Sequence, residues 1–168
     1  MESNEYHELV SNFLKNQHPS GHVKINFKIH EDQTVDINSF ISLAKLQFFE
    51  LPFKFNISRG TFDISECNFT SLINSPIEVH GCFDCSYNKI QSLQFCPKFV
   101  EGNFNCHDNL ISPWEHRYLL FSEIQREIRT GNSKLNAFFK LYQNKKALIP
   151  EALKELRELQ IQWEQENA

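Results

Sequence analysis

Nowhere does this chain hold a run of apolar residues near the roughly 18 that a membrane-spanning helix needs, so no membrane contact is expected. The first ten residues, MESNEYHELV, are acidic and polar, which argues against an export signal. The cysteines are five, an odd number, and without an export signal the expectation is reduced thiols in a cytoplasm. A strong positive charge is missing too: the net charge is −4, which gives no global case for nucleic-acid binding. The seven histidines show no H-E-x-x-H or related spacing, and there is no G-x-S-x-G and no Walker loop. These absences point to a protein that is not an enzyme and uses no metal or cofactor. What the chain does have is phenylalanine, sixteen of 168 residues, against two tryptophans and four tyrosines.

Phenylalanine belongs to a repeat. Gly60, Gly81 and Gly102 are 21 residues apart, and Phe62, Phe83 and Phe104 follow each by two. Ile64, Cys85 and Cys106 keep the same step, as do Phe69, Ile90 and Ile111, then Leu72, Leu93 and Trp114. A degraded earlier coil is visible in Ile41, Leu43, Leu46, Phe48 and Leu51. The pattern F-x-C-x-x-N-x-I-x-x-L resembles the leucine-rich repeat, with Phe and Cys in two leucine positions. Residues two apart on a strand face one side. One coil cannot bury that side alone, whereas stacked coils bury it continuously in a parallel ladder. Asn88 and Asn109 are expected inside the turn after the strand, bonded to backbone groups that the bend leaves unpaired. Cys67 holds that position in the first full coil and should serve it less well. The glycines should mark either positive φ or close coil-to-coil contact.

Cys85 and Cys106 then read as small packing residues. Cys82-x-x-Cys85 has zinc-ligand spacing and His107 follows Cys106, but residues three apart, or adjacent, point to opposite faces of a strand. Zinc and redox roles are therefore not favoured. Asp63 and Asp84 are equivalent positions in adjacent coils, yet a flat strand face supplies no pocket for paired-carboxylate catalysis. What the repeat offers is an ordered polar face as a binding surface: Thr61, Asp63, Ser65, Asp84, Ser86, Asn103, Asn105 and His107, with Cys82 among them.

The flanks read as caps. Residues 4–16 fit an amphipathic helix through Tyr6, Leu9, Val10, Phe13 and Leu14, stopped by His18-Pro19-Ser20-Gly21. Val23 to Ile29 alternate as a strand, and Thr34–Leu43 is a second one after a turn at Glu31-Asp32-Gln33. After the repeat, Ser112-Pro113-Trp114-Glu115 looks like a helix start. The spacing predicts one helix buried through Trp114, Tyr118, Phe121, Ile124 and Ile128 and stopped at Gly131. A second helix is expected after Asn132 or Ser133, and a third from Pro150. The expected fold is α+β: an N-terminal helix and hairpin over residues 1–38, a leucine-rich-repeat-like solenoid over 39–112, and a helical segment over 113–168.

Residues 113–147 carry seven Lys or Arg against three Glu, while the segments on either side are acidic. The candidate contact residues there are Arg126, Arg129, Lys134, Lys140, Lys145 and Lys146. They form either a solvated helix face or a patch for phosphates or an acidic partner.

The region from about residue 20 to 112 also resembles the short repeat proteins of T-even-type bacteriophages. The resemblance rests on the hairpin Ile29–Ile37 (I-x-x-D-x-T-V-D-I), the segment Leu51–Phe55 (L-P-F-K-F) and the coil Pro76–Leu93. Chain length and the acidic/basic split suggest, within that group, the Alc-like terminators of host transcription. The resemblance implies a non-enzymatic host-takeover protein in the bacterial cytoplasm. It would act as a monomer that binds the RNA polymerase elongation complex, with DNA in that complex as a further contact. The rival expectation is a phage interaction module that inhibits a host defence enzyme.

Overall fold

The structure, a computed structural model, describes residues 3–16 and 25–168. The expected helix stop at His18–Gly21 and the start of the first strand, Val23 included, lie outside the described residues. Each turn of the chain contributes two short strands rather than one. Val35–Ile37 (β2), Phe55–Ser58 (β4), Glu78–Val79 (β6), Phe99–Val100 (β8) and Glu123–Ile124 (β10) stack in parallel as one sheet. Ile41–Ser42 (β3), Phe62–Asp63 (β5), Phe83–Asp84 (β7), Phe104–Asn105 (β9) and Ile128–Arg129 (β11) stack as a second. The first sheet is extended by Phe27–Ile29 (β1), antiparallel to β2. The result is five coils. Register holds the 21-residue step from Ile41 through Phe62 and Phe83 to Phe104, then widens to 24 at Ile128.

The aromatic ladder is the core. Phe62, Phe83 and Phe104 are fully buried, with ring centroids 6.1 and 5.2 Å apart along the stack. Val79, Val100 and Ile124 form the facing ladder of the other sheet and are likewise buried. Between the two strands of a coil sits the repeat glycine. A Cβ on Gly81 would lie 2.4 Å from the Thr61 nitrogen, and one on Gly60 2.6 Å from the Phe40 nitrogen. Close contact between coils, not positive φ, is therefore what requires glycine there. Positive φ falls instead on Lys45, Glu66, Tyr87 and Asp108, again 21 apart, at the corner just before the asparagine position.

That corner behaves as expected. Asn88 donates from Nδ2 to the carbonyls of Ile64 (2.8 Å), Cys85 (3.1 Å) and Ser86 (3.1 Å), and its Oδ1 accepts the Phe69 N–H at 3.0 Å. Asn109 repeats the arrangement with Cys85, Cys106 and His107 carbonyls and the Ile90 N–H. Cys67, in the same position, donates only its thiol, to Leu43 and Ser65 carbonyls. The hairpin motif also has a structural use. Asp32 Oδ1 accepts from the Thr34 N–H and hydroxyl, and Asp36 Oδ1 accepts from Asn56 and the Ile57 N–H.

Two expectations about the flanks change. The strand expected over Thr34–Leu43 is bent at residues 38–40, so its halves join different sheets and form the first coil. The helix expected from Pro113 to Gly131 is a 3-10 helix, Pro113–Phe121, followed by β10 and β11. Ser112 makes no side-chain cap, and Ile124 and Ile128, four apart, fit two strands around a corner as well as they fit a helix face. The unpaired edges of β8 and β9 decide in favour of strands. The solenoid thus runs beyond 112, to Arg129.

Helices close both ends. Ser3–Asn16 (α1) buries Tyr6, Val10 and Leu14, and its Phe13 and Tyr6 rings pack edge-on to Phe53. Ser133–Tyr142 (α2), capped by the Asn132 side chain on the N–H groups of Lys134 and Leu135, buries Leu135, Phe138 and Phe139. After α2, Asn144 both accepts from the Ile124 N–H and donates to its carbonyl, and Gln143 donates to the Ile124 and Arg126 carbonyls. The free edge of the last coil is thereby covered by side-chain amides. Ile149–Glu166 (α3) lies against the 3-10 helix, with the Arg157 and Arg117 guanidiniums over the Trp114 ring at 4.1 and 5.1 Å. No helix among the described residues is long and apolar enough to cross a membrane.

Candidate functional site: a basic cleft beside the last coil

The polar strand face is largely engaged within the solenoid. Thr61 Oγ1 accepts the Cys82 N–H, Cys82 Sγ accepts the Asn103 N–H, and Asn103 Oδ1 accepts the Glu127 N–H. Asp63 takes the N–H and hydroxyl of Ser65 on one oxygen and the Ser42 hydroxyl on the other. Asp84 does the same with Ser86 and, at 2.8 Å, with Asn105 Nδ2. The second oxygens of Asp63 and Asp84 therefore engage partners on opposite sides along the ladder. This arrangement gives both oxygens of each carboxylate hydrogen-bond donors from neutral groups. Only the last of the nine residues, His107, faces a different environment. Its Nδ1 is 2.6 Å from Asp108 Oδ2, and its ring meets exposed Tyr87 edge-on at 4.9 Å.

The cysteines are free and dispersed in function. Cys85 and Cys106 are buried, and burial pushes both thiols well up from their ordinary range. Burial likewise raises Cys96 to about 11, although Ser122 beside it acts the other way. Among the described residues no group of three or more His, Cys, Asp or Glu is placed to hold a metal ion.

Next to His107, the chain forms an open cleft of about 670 Å³ between β11 and α2. Three of the six basic candidates line it: Arg126, Arg129 and Lys140. Arg129 is held by two contacts of 3.0 Å from its guanidinium to Glu127 Oε2, the one carboxylate of the lining. Asn136 fixes α2 to the coil by accepting from the Thr130 N–H and hydroxyl, and Gln143 fixes the far end through the Arg126 carbonyl. The other basic candidates are elsewhere. Lys134 pairs with Glu166 at 3.3 Å, and Lys145 and Lys146 are exposed in the turn between α2 and α3. The structure thus brings one residue of the strand face together with half of the basic set. Asn136 and Gln143 escaped sequence reasoning because nothing in the helical pattern distinguishes them from solvated positions.

Chemically, the cleft can hold an anion. Arg129 and Glu127 offset one another, and Arg126 and Lys140 are in no ion pair among the described residues, so the lining keeps an excess of two positive charges in a space open to solvent. The fold and this site define a capped, leucine-rich-repeat-like β-solenoid with an anion-receptive cleft at its C-terminal end. No protein-family model, no curated protein and no solved structure matches the chain.

Proposed function

We propose that the protein is a non-enzymatic host-takeover protein of a T-even-type bacteriophage that binds the bacterial RNA polymerase elongation complex and shuts off host transcription. The observation that carries the contact is the cleft where Arg126, Arg129 and Lys140 converge beside His107. The motifs at Ile29–Ile37, Leu51–Phe55 and Pro76–Leu93 support a phage origin, and the chain length and acidic/basic split support the choice of partner. Binding itself is the mechanism. Cations held by a rigid coil and a pinned helix neutralise phosphates or carboxylates on the complex and release their counterions. A cleft built on regular elements holds its charges in place before binding, so little ordering is required on association.

The test is capture of polymerase from a bacterial lysate by the immobilised protein, with and without a DNA template, at two salt concentrations. Wild-type protein should retain polymerase subunits. The Arg126→Ala/Lys140→Ala variant should lose most of the capture while melting at the wild-type temperature. If phosphates are met, each charge removed should flatten the salt slope by about one unit. Polymerase absent from the captured material would overturn the reading, and capture of a nuclease or signalling enzyme instead would establish the defence-inhibitor alternative.

A further inference from the structure

Between the asparagine corner and the first sheet, coils two to four form a second concavity, of about 320 Å³, that shares no lining residue with the basic cleft. Its walls are Ile73, Ile77 and Phe95, which are 42%, 40% and 52% exposed. Lys54 and Lys98 line it as well, and no carboxylate does. Lys54 acts on Asp32 only through space, and neither lysine is in an ion pair among the described residues. Ser75, also in the lining, is 8% exposed, and its hydroxyl has no hydrogen-bond partner.

Repeat equivalence tells what such a surface accepts. Phe53 occupies the position of Phe95 two coils earlier. It is 4% exposed, because Tyr6 and Phe13 of α1 pack on it. The covering helix is acidic in its first turn, where Glu5 precedes Tyr6 in sequence. At Phe95 the same repeat position is half exposed, with Ile73 and Ile77 beside it and Lys54 and Lys98 in the lining.

We infer that this groove is a docking site for an acidic peptide segment of a partner protein that presents one bulky apolar anchor. The anchor fills the space between Ile73, Ile77 and Phe95. Carboxylates beside it meet Lys54 and Lys98. A volume near 300 Å³ is at the small end of ligand sites, which suits one side chain rather than a long segment. Lysines at the rim set charge preference and association rate, and the apolar centre sets dissociation.

The experiment uses the whole protein and three fluorescent peptides: a tryptophan flanked by Glu and Asp, the same tryptophan flanked by Lys, and the acidic peptide with Ala for Trp. The acidic tryptophan peptide should bind saturably, with amide NMR shifts concentrated at Ser75, Ile77 and Lys98. The other two should bind at least about tenfold more weakly. Lys54→Glu/Lys98→Glu and, separately, Ile77→Asp should each raise Kd at least about tenfold, and the exposed positions keep the melting temperature unchanged. Arg126→Ala/Lys140→Ala should leave peptide affinity as it is, so the groove and the cleft are judged separately. Several results would overturn the inference: no saturable binding, equal affinity for the Lys-flanked peptide, or wild-type affinity in the groove variants. So would shifts confined to α2 and β11, or self-association that Lys98→Glu abolishes, which would make a second copy the occupant.

Discussion

Replacing Asn88 with alanine leaves a countable set of groups behind. Four backbone groups touch the amide: the carbonyls of Ile64, Cys85 and Ser86 and the N–H of Phe69. Two of them keep other partners, since Asn109 also donates to Cys85 and the Glu66 N–H also donates to Ser86. The Ile64 carbonyl and the Phe69 N–H are left without a partner, beneath side chains that are fully buried. At roughly 1–3 kcal/mol for each buried unsatisfied group, with partial relief by water at one of them, Asn88→Ala should cost about 3 kcal/mol. For a chain of this size that corresponds to a fall in Tm of roughly 10 °C. Asn109→Ala also orphans two groups, the Ile90 N–H and the Cys106 carbonyl, while Asn88 still serves the Cys85 carbonyl; Asn109 is more exposed and water can replace it, so its loss should be smaller. Asn88→Asp should be no better than alanine at neutral pH, because a carboxylate then faces three carbonyls, and should recover in part at acid pH as the carboxyl protonates. Urea and thermal unfolding of the three variants beside wild type provide the measurement. An unchanged Tm for Asn88→Ala, or a larger loss for Asn109→Ala, would refute the accounting.

Other outcomes follow from the same physics. Burial lowers the His116 pKa from the ordinary histidine range to about 4, against backbone carbonyls at Ser112 and Pro113 that act the other way. The unfolded chain then binds a proton that the folded one refuses between pH about 6.5 and about 4, so stability is full above that window and is lost as pH falls through it, by up to about 3 kcal/mol. His116→Gln, which cannot titrate, should flatten the urea midpoint between pH 7 and pH 5, and an identical pH dependence in both proteins would contradict this. Gly81→Ala, whose new Cβ would press on the Thr61 backbone, should destabilise by about 3 kcal/mol or prevent folding, which circular dichroism and melting would show. Iodoacetamide at pH 8 should label native protein first at partly exposed Cys82, more slowly at Cys96, which is partly exposed but whose thiol is raised to about 11, and at Cys85 and Cys106 only on unfolding. Mass spectrometry of the labelled peptides decides the order.

Much of this was legible in the amino-acid sequence, for one physical reason. In a solenoid each residue meets its own equivalents one coil away, so the contacts are written as a period. Phe62, Phe83 and Phe104, the buried asparagines, the weaker Cys67 and the tight glycines could all be read from spacing 21. Spacing in itself does not tell where a chain bends, however. The second sheet was hidden in two-residue strands such as Glu78–Val79 and Phe99–Val100, which also keep the period but are too short to alternate visibly. The last coil was hidden because three added residues broke the step, and Ile124 and Ile128 suited a helix equally well. Free sheet edges settled that choice, and an edge exists only once the preceding coils are stacked. The two concavities were tertiary in the same sense. Arg126, Arg129 and Lys140 converge with His107 because α2 folds back onto β11, and Lys54 and Lys98 come to one groove across 44 residues of chain. Local sequence determined which side chains face the coil interior. Only the stacking of coils and the return of the helices decided which of the remaining charges stand together.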